Sequence, residues 1–291
     1  MPELPEVETV RRGLSRLLPS HVVKKVIYDT PKSFPNSPAD VEQFLIGAKI
    51  TAVRRRAKVL MIDLSTNYSL VIHLKMTGQI VYRGETVFGA GHPNNSLLGR
   101  LPDRSTRVTL TLDKSAILFF NDQRKFGWMR LLPTIEIPNI NFMKKVGPEP
   151  LEDSFTDKEF IQRLERRKNT TIKAAILDQT VLAGVGNIYA DESLWGAKIH
   201  PATRVKDVPE IKLKNLFTAI REVMNFSIEK GGSTDKNYVN AEGGRGSYLT
   251  FANVFRREGQ PCNRHPDTLI EKIKVAGRGT HICRKCQQLV Q

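Results

Sequence analysis

Met1-Pro2-Glu3-Leu4-Pro5-Glu6 opens the chain, and its reading decides how the rest is read. Beyond it, Val7, Val10, Leu14, Leu17 and Leu18 fall at helical spacing, with Pro5 opening the run and Pro19 ending it, which predicts a helix over 5–18. A proline in the first turn and Glu3 and Glu6 at the positive end of the dipole suit any helix start. The same residues also allow chemistry. Removal of Met1 would leave Pro2 with a free secondary amine. An α-amino group has a pKa of about 7.7–8.0, well below that of lysine, so much of it is a neutral nucleophile near pH 7. A secondary amine condenses with an aldehyde to an iminium ion, an electron sink, and Glu3 lies beside it to move a proton. The six residues alone leave both readings open.

The chain has 291 residues, enough for a full core and for two domains with a small appendage. A hydrophobic fraction of 40% and a mean hydropathy of −0.32 describe a soluble globular protein. No apolar run approaches the ~18 residues of a membrane span, and the amino terminus lacks the basic and apolar regions of a signal peptide, so a cytoplasmic protein is expected. The 3 cysteines all lie beyond residue 260 and point to metal ligation rather than a disulfide framework. Lys and Arg number 45 against 30 Asp and Glu, a net charge of +15, which favours a polyanionic partner: DNA, RNA or an anionic membrane surface.

From residue 22 to 132 short β-rich runs take over: Val22–Tyr28, Lys49–Val53, Val59–Leu64, Ser69–Leu74, Gln79–Tyr82, Arg107–Leu112, Ala116–Phe120 and Met129–Leu132. Their spacing predicts an antiparallel sandwich or barrel. The segment 84–105, rich in Gly, Asn and Pro, reads as a long polar loop. Four prolines between 133 and 150 read as an interdomain linker. Helices are then predicted over Asp157–Arg166, Thr171–Asp178, Ile188–Ala197 and Glu210–Glu229, and a Gly-rich loop over 231–250.

Several constellations carry chemistry. Cys262-Asn263-Arg264-His265 and Cys283-Arg284-Lys285-Cys286 are two close pairs of ligands separated by seventeen residues. Such pairs close a tetrahedron around one structural Zn²⁺, with Cys262, His265, Cys283 and Cys286 as ligands and His281 as a rival for the fourth place. Arg278, between Gly277 and Gly279 at the predicted hairpin tip, is placed to meet a phosphate. Gly184-Val185-Gly186-Asn187 leads into a helix, where backbone N–H groups and the Asn187 side chain can hold an anion or merely cap the helix. In Arg54-Arg55-Arg56-Ala57-Lys58, strand alternation would send Lys58 and Arg56 to one side and Arg55 to the other. His73-Leu74-Lys75-Met76-Thr77-Gly78 and Asn121-Asp122-Gln123-Arg124-Lys125-Phe126-Gly127 form turns between strands. Met76, Arg124 and Phe126 are the residue types that pry a base from a duplex, although Met and Phe also serve as ordinary core residues.

Pro2-Glu3-Leu4-Pro5-Glu6-Val7-Glu8, Arg124-Lys125-Phe126-Gly127, Gly184-Val185-Gly186-Asn187-Ile188-Tyr189 and the terminal cysteine hairpin occur in this order in the formamidopyrimidine-DNA glycosylases, which the chain resembles from residue 2 to about 288. The resemblance implies an α+β multidomain fold. An amino-terminal antiparallel β-sandwich with its first helix would span 1–132 and a linker 133–150. A helix–two-turn–helix domain would follow over 151–250, its loop 231–250 closing over a flipped base, and a zinc-finger hairpin over 251–291. It implies a bifunctional glycosylase and abasic-site lyase of base-excision repair, acting as a monomer on double-stranded DNA that holds 8-oxoguanine or formamidopyrimidines. Pro2 then matches the nucleophile that forms a Schiff base, Glu3 the acid/base, and Lys58 a lysine that contacts phosphate beside the lesion. Successive β- and δ-eliminations would cut the strand. Met76, Arg124 and Phe126 match the inserting side chains, Asn187 and Arg278 phosphate anchors, and His73 lies in the DNA-contacting turn.

The chain departs from the family pattern in places. His265 stands where the family has a second cysteine, with a spacer to Cys283 one residue longer, the 84–105 segment is longer than usual, and Arg107 replaces a frequent histidine. The wording of 251–257 also differs. Three rival readings are an endonuclease VIII-like enzyme for oxidised pyrimidines, a non-catalytic DNA-damage-binding protein and a zinc-ribbon RNA-associated protein. Leu4 after Glu3 and the Met76/Arg124/Phe126 set speak against the first. Retention of Pro2, Glu3 and Lys58 speaks against the second, and the amino terminus against the third.

Overall fold

The apolar stripe behind the opening residues becomes helix α1 (Leu4–Leu17), with Pro5 in its first turn and Glu3 as its N-cap. Val7, Val10 and Leu14 are fully buried on one face of it. In the computed structural model residues 2–92, 95–233 and 248–289 are described. They fall into two compact units, Met1–Lys144 with Lys230–Ser247, and Lys145–Glu229 with Tyr248–Gln291. Among the described residues no helix is long and apolar enough to cross a membrane.

The first unit is a sandwich of two antiparallel sheets. Strands β1 (Val23–Tyr28), β2 (Ile50–Arg56), β3 (Val59–Leu64), β4 (Tyr68–His73) and β5 (Gly78–Arg83) are followed by β6 (Val87–Gly91), β7 (Thr106–Leu112), β8 (Ile117–Asp122) and β9 (Trp128–Pro133). One sheet has the order β1-β7-β8-β5-β6 and the other β2-β3-β4-β9. Alternate residues of each strand face inward. Leu60, Ile62, Leu70 and Ile72 of one sheet join Ile80, Leu110, Leu118 and Phe120 of the other in a single core with α1. A short helical turn, α2 (Pro38–Asp40), continues as a π-helical turn over Val41–Leu45.

Eight of these nine strands match predicted runs; the exception is β6. It lies inside the segment expected to be a polar loop, followed by a 3-10 turn at Asn95–Leu97. Its Gly89-Ala90-Gly91 wording reads as a turn, but small residues are what the site requires. Phe88 and Ala90 are buried, and Phe88 occupies the space that a side chain at Gly13 of α1 would fill. The stretch read as a linker is also ordered. Thr134–Asn139 is a 3-10 helix and Asn141–Lys145 forms α3. Ile137, Phe142 and Met143 cover Val59, Met61 and Val71 on the outer face of the four-stranded sheet. Pro133 suits the N-cap of this helix, where no N–H donor is needed, whereas Pro138 lies inside it.

The second unit is helical, with α4 (Asp157–Glu165), α5 (Ile172–Leu177), α6 (Asn187–Gly196), α7 (Glu210–Glu229) and a hairpin of β10 (Glu271–Val275) and β11 (Arg278–Ile282). Thr156 and Thr171 cap α4 and α5, their hydroxyls accepting the N–H of Glu159 and Ala174. Residues Tyr189 to Trp195 of α6 are all buried, so its carboxylates must find internal donors. The Tyr189 hydroxyl lies 2.6 Å from that of Ser227 on α7.

Back in α1, Glu8 meets Arg11 at 2.7 Å, Arg12 at 2.9 Å and Arg55 of β2 at 3.1 Å. Burial raises the Glu8 pKa, but the three guanidiniums outweigh it and hold the carboxyl at about 2 against its ordinary 4.5. A folded value below the ordinary one means the stabilisation is complete above pH 4.5 and is lost as the pH falls toward 2. Replacing Glu8 with Gln should therefore cost on the order of 2 kcal/mol at pH 7, discounting for the half-exposed Arg12. Urea midpoints of parent and variant should converge as the pH is lowered toward 3.

Candidate functional site

Four groups of predicted residues take their places in the two units. The first is the amino terminus, where Pro2 and Glu3 are buried. Glu3 and Glu6 close a capping box in which the Glu3 N–H donates to Glu6 Oε2 at 2.8 Å. Glu6 Oε1 accepts the N–H of Ser233 at 2.8 Å, so this carboxylate ties the start of the chain to the start of the 231–250 segment. Glu6 was not among the predicted site residues, although its place three residues after Glu3 is a capping signal. Apart from 231–233 and 248–250, the expected capping loop lies outside the described residues.

Lys58 sits at the β2–β3 turn and is 6% exposed. Ala57, with φ of 52°, reverses the chain between β2 and β3. Arg55 turns toward α1 and Glu8, and its Nη1 donates to the Ala57 carbonyl at 3.0 Å.

The second group lies on two neighbouring turns, β4–β5 and β8–β9, brought together because β4 pairs with β9 and β5 with β8. Met76 is 38% exposed and Phe126 45%, so neither is a core residue. Arg124 is exposed as well and lies with its guanidinium 4.9 Å from the Phe126 ring centre. His73 is buried, and its Nδ1 accepts the Lys75 N–H at 3.1 Å, fixing the turn that carries Met76. Burial, with the Lys75 and Lys58 ammoniums, depresses the His73 pKa to about 3, so the ring is neutral at pH 7. A direct contact from His73 to a ligand would have to go through Nε2.

Beneath these turns lies a residue not singled out in the sequence. Asp122, fully buried, accepts the Phe126 N–H at 2.8 Å, the Gly127 N–H at 2.7 Å and the Arg124 N–H at 3.2 Å. Arg107, the departure from the family pattern, is buried too. Its Nε donates to the Asp122 carbonyl at 2.7 Å and its Nη1 reaches Asp29 at 2.6 Å, so it braces the turn from inside.

The third group is in the helical unit. Gln179 holds the Gly-rich turn, its Oε1 accepting the Gly184 N–H at 3.0 Å and its Nε2 donating to the Val185 carbonyl at 2.8 Å. Gly184 needs its glycine, with φ of 81°. Asn187 opens α6 and donates through Nδ2 to the Gly279 carbonyl at 3.0 Å, next to exposed Arg278. Ala276 and Gly277, both with positive φ, form the hairpin tip immediately before Arg278. The two predicted phosphate anchors are thus brought together. Sequence reading missed what joins them. Fully buried Lys173 of α5 contacts Asp191 of α6 at 2.6 Å and the Thr280 hydroxyl at 2.7 Å. Asp191 Oδ2 in turn accepts the backbone N–H of His281 at 2.9 Å. A Lys and an Asp far apart in sequence carry no local signal of such a pair.

The fourth group is the cysteine hairpin. The ligand atoms of Cys262, His265, Cys283 and Cys286 lie within 4.8 Å of one another, with His265 Nδ1 3.1 Å from Cys286 Sγ. His281 faces Asp191 instead, its Nδ1 3.2 Å from Oδ2, which removes the rival fourth ligand. Burial raises the Cys262 thiol, but N–H donors including those of Arg264 and His265 more than offset it and bring the value to about 7. Burial and the neighbouring sulfurs push Cys286 up to about 12. Three thiols gathered within coordinating distance, with an imidazole closing the set, fit a soft four-coordinate divalent ion.

This geometry invites comparison with known proteins. The family model described as the formamidopyrimidine-DNA glycosylase N-terminal domain matches residues 1–129, and that of the H2TH domain matches 146–238. The chain is a member of the formamidopyrimidine-DNA glycosylase family. It is 43% identical to the formamidopyrimidine-DNA glycosylase of Herpetosiphon aurantiacus, over 99% of this chain and 100% of the relative. It is 40% identical to that of Pediococcus pentosaceus, over the same shares. Among solved structures, a Lactococcus lactis Fpg mutant in complex with a Fapy-dG-containing DNA gives a TM-score of 0.86 at 33% identity, covering 99% of this chain and 100% of that one. The MutM (Fpg) protein of Thermus thermophilus gives 0.83 at 35%, with 100% of both chains covered. As a family member the protein is a DNA-binding glycosylase of DNA repair with a zinc-finger type of cluster.

The cluster makes a direct prediction. Protein purified without chelator should carry about one equivalent of a divalent metal by native mass spectrometry. Cys283→Ser should lose it, and stripping the metal from the parent should lower the unfolding temperature of the helical unit.

Proposed function

We propose that the protein is a bifunctional glycosylase and abasic-site lyase that removes oxidised purines, 8-oxoguanine and formamidopyrimidines, from duplex DNA. The observation that carries this reading is the exposure of Met76, Arg124 and Phe126 at the tips of two adjoining turns, whereas Phe120 and Met129 of the strands flanking one of them are buried. Inserted beside a lesion, the three exposed side chains would fill the gap left by an extruded base, with Arg124 facing the estranged cytosine.

Once Met1 is removed, the Pro2 nitrogen attacks the anomeric carbon of the damaged nucleoside. The bond to the base breaks and an iminium ion forms between Pro2 and the opened sugar. Glu3 protonates the ring oxygen as the sugar opens. The iminium acidifies the adjacent carbon, so loss of that proton expels the 3′ phosphate, and a second elimination expels the 5′ phosphate. Lys58, buried beside the neutral His73, holds a phosphate flanking the lesion. Asn187 and Arg278 hold the backbone farther along. Cys262, His265, Cys283 and Cys286 would hold a zinc ion, which would rigidify the hairpin that presents Arg278.

Support for the reading includes a solved relative described as a complex with Fapy-dG-containing DNA and another with carbocyclic 8-oxo-G-containing DNA. The test is borohydride trapping on duplexes with 8-oxoguanine opposite cytosine and, separately, with an oxidised pyrimidine. A covalent adduct mapping to Pro2 is expected on the first duplex, and none on protein that retains Met1. Binding without base release would overturn the reading. Glu3→Gln should slow turnover by about 10²–10⁴-fold, what one acid/base group typically supplies, with duplex affinity little changed. Affinity should also fall with salt, log K losing about 0.9 per neutralised phosphate for each unit of log salt.

A further inference from the structure

We propose that Thr77 and Asp122 form a clasp that makes Met76, Arg124 and Phe126 enter a duplex as one unit. Both are positioning residues for base extrusion, and the proposal rests on the insertion role given above.

The Thr77 hydroxyl, next in the chain to Met76, donates to Asp122 Oδ1 and also accepts the Arg124 N–H at 3.0 Å. That one side chain therefore bonds the Met76 turn to both the carboxylate and the backbone of the opposite turn. Asp122 completes the connection, because its two oxygens hold the N–H groups of Arg124, Phe126 and Gly127. Every inserting residue is thus either bonded through its own N–H to this pair or adjacent to a residue of it. Neither turn has slack. A Cβ at Gly78 would overlap the backbone of Leu74, and one at Gly127 would crowd Phe120, the His73 carbonyl and Asp122. Below the pair, nearly fully buried Arg107 donates to the Asp122 carbonyl, and Gln79 and Asn121, the next pair along β5 and β8, are fully buried.

Loop tips ordinarily move independently of one another. Here, displacing the Met76 turn alone would strand a buried carboxylate without its hydroxyl donor, which favours joint movement of both turns or none. An inserted wedge and an inserted partner for the orphan base must arrive together, and the clasp provides that concert without itself touching DNA.

The test is a double-substitution cycle, read by a fluorescent base analogue placed beside the lesion and by steady-state kinetics. In the parent, Met76→Ala and Phe126→Ala together should slow insertion by less than the product of their separate effects, because each already disables the shared unit. In Thr77→Val the two effects should become multiplicative. That variant should also lose about tenfold in kcat with KM within about twofold, as expected for a step after binding. Thr77→Ser, which keeps the hydroxyl, should recover most of the loss. A merely structural Thr77 would lower the unfolding temperature without changing the coupling. Parent-like kcat and coupling in Thr77→Val would overturn the clasp. So would multiplicative effects in the parent, a result that needs no clasp variant to fold. A parent that releases no damaged base and leaves the reporter unchanged would instead overturn the proposed function, and the insertion role with it.

Discussion

Asp122 is completely enclosed, and a carboxylate in that position is tolerable only because three backbone N–H groups and one hydroxyl point at it. The requirement works in both directions. The turn after β8 must keep its shape to satisfy the charge, and the charge dictates where Arg124 and Phe126 stand. The helical unit meets the same constraint twice. Glu192 of α6, 1% exposed, accepts the N–H groups of Asn253, Val254 and Phe255, setting the chain that leads into the metal hairpin. Asp191, one residue earlier, takes Lys173 and the backbone of His281. Buried carboxylates shape these functional loops because a backbone N–H is a directional donor present at nearly every residue.

Electrostatics separates the surface from these interior sites. The net charge of +15 lies mostly on long side chains that reach solvent, where it serves attraction to a polyanion. The interior charges are paired or hydrogen-bonded. Arg107 shows the difference. In sequence it is one more basic residue at a place associated with DNA contact, yet its guanidinium is bound to Asp29 and to two backbone carbonyls. Its role is to hold a turn.

Much of the architecture was legible. Short β-rich runs between turn residues located β3 to the residue and β5, β7, β8 and β9 within two residues of each end, because β-branched and aromatic residues bounded by turn formers mark a buried strand. Helix α7 was read over its full length, Glu210–Glu229. The misreading of β6 has one cause. Gly89-Ala90-Gly91 look like turn residues from local propensity, but packing made them a strand, as packing also ordered the stretch after residue 132 in which the boundary between the two units falls. Phe88 beside Gly13 and Ile137 against Val59 are long-range contacts that no local window contains.

The sequence by itself determined the residue types that chemistry requires: Pro2 and Glu3 at the chain start, four soft ligands at turn spacing, and an Arg and two large apolar residues at predicted turns. Those are covalent or local properties, and spacing along the chain is enough to read them. Tertiary structure decided which of them meet. It excluded His281 from the metal cluster by turning it to Asp191, brought Asn187 to the carbonyl beside Arg278, and exposed Met76 and Phe126 rather than burying them. It also assigned the supporting work to Glu6, Thr77, Asp122 and Lys173. Their partners are set by the pairing of distant strands and helices, and by the need of a buried charge or donor to be satisfied wherever the fold has placed it.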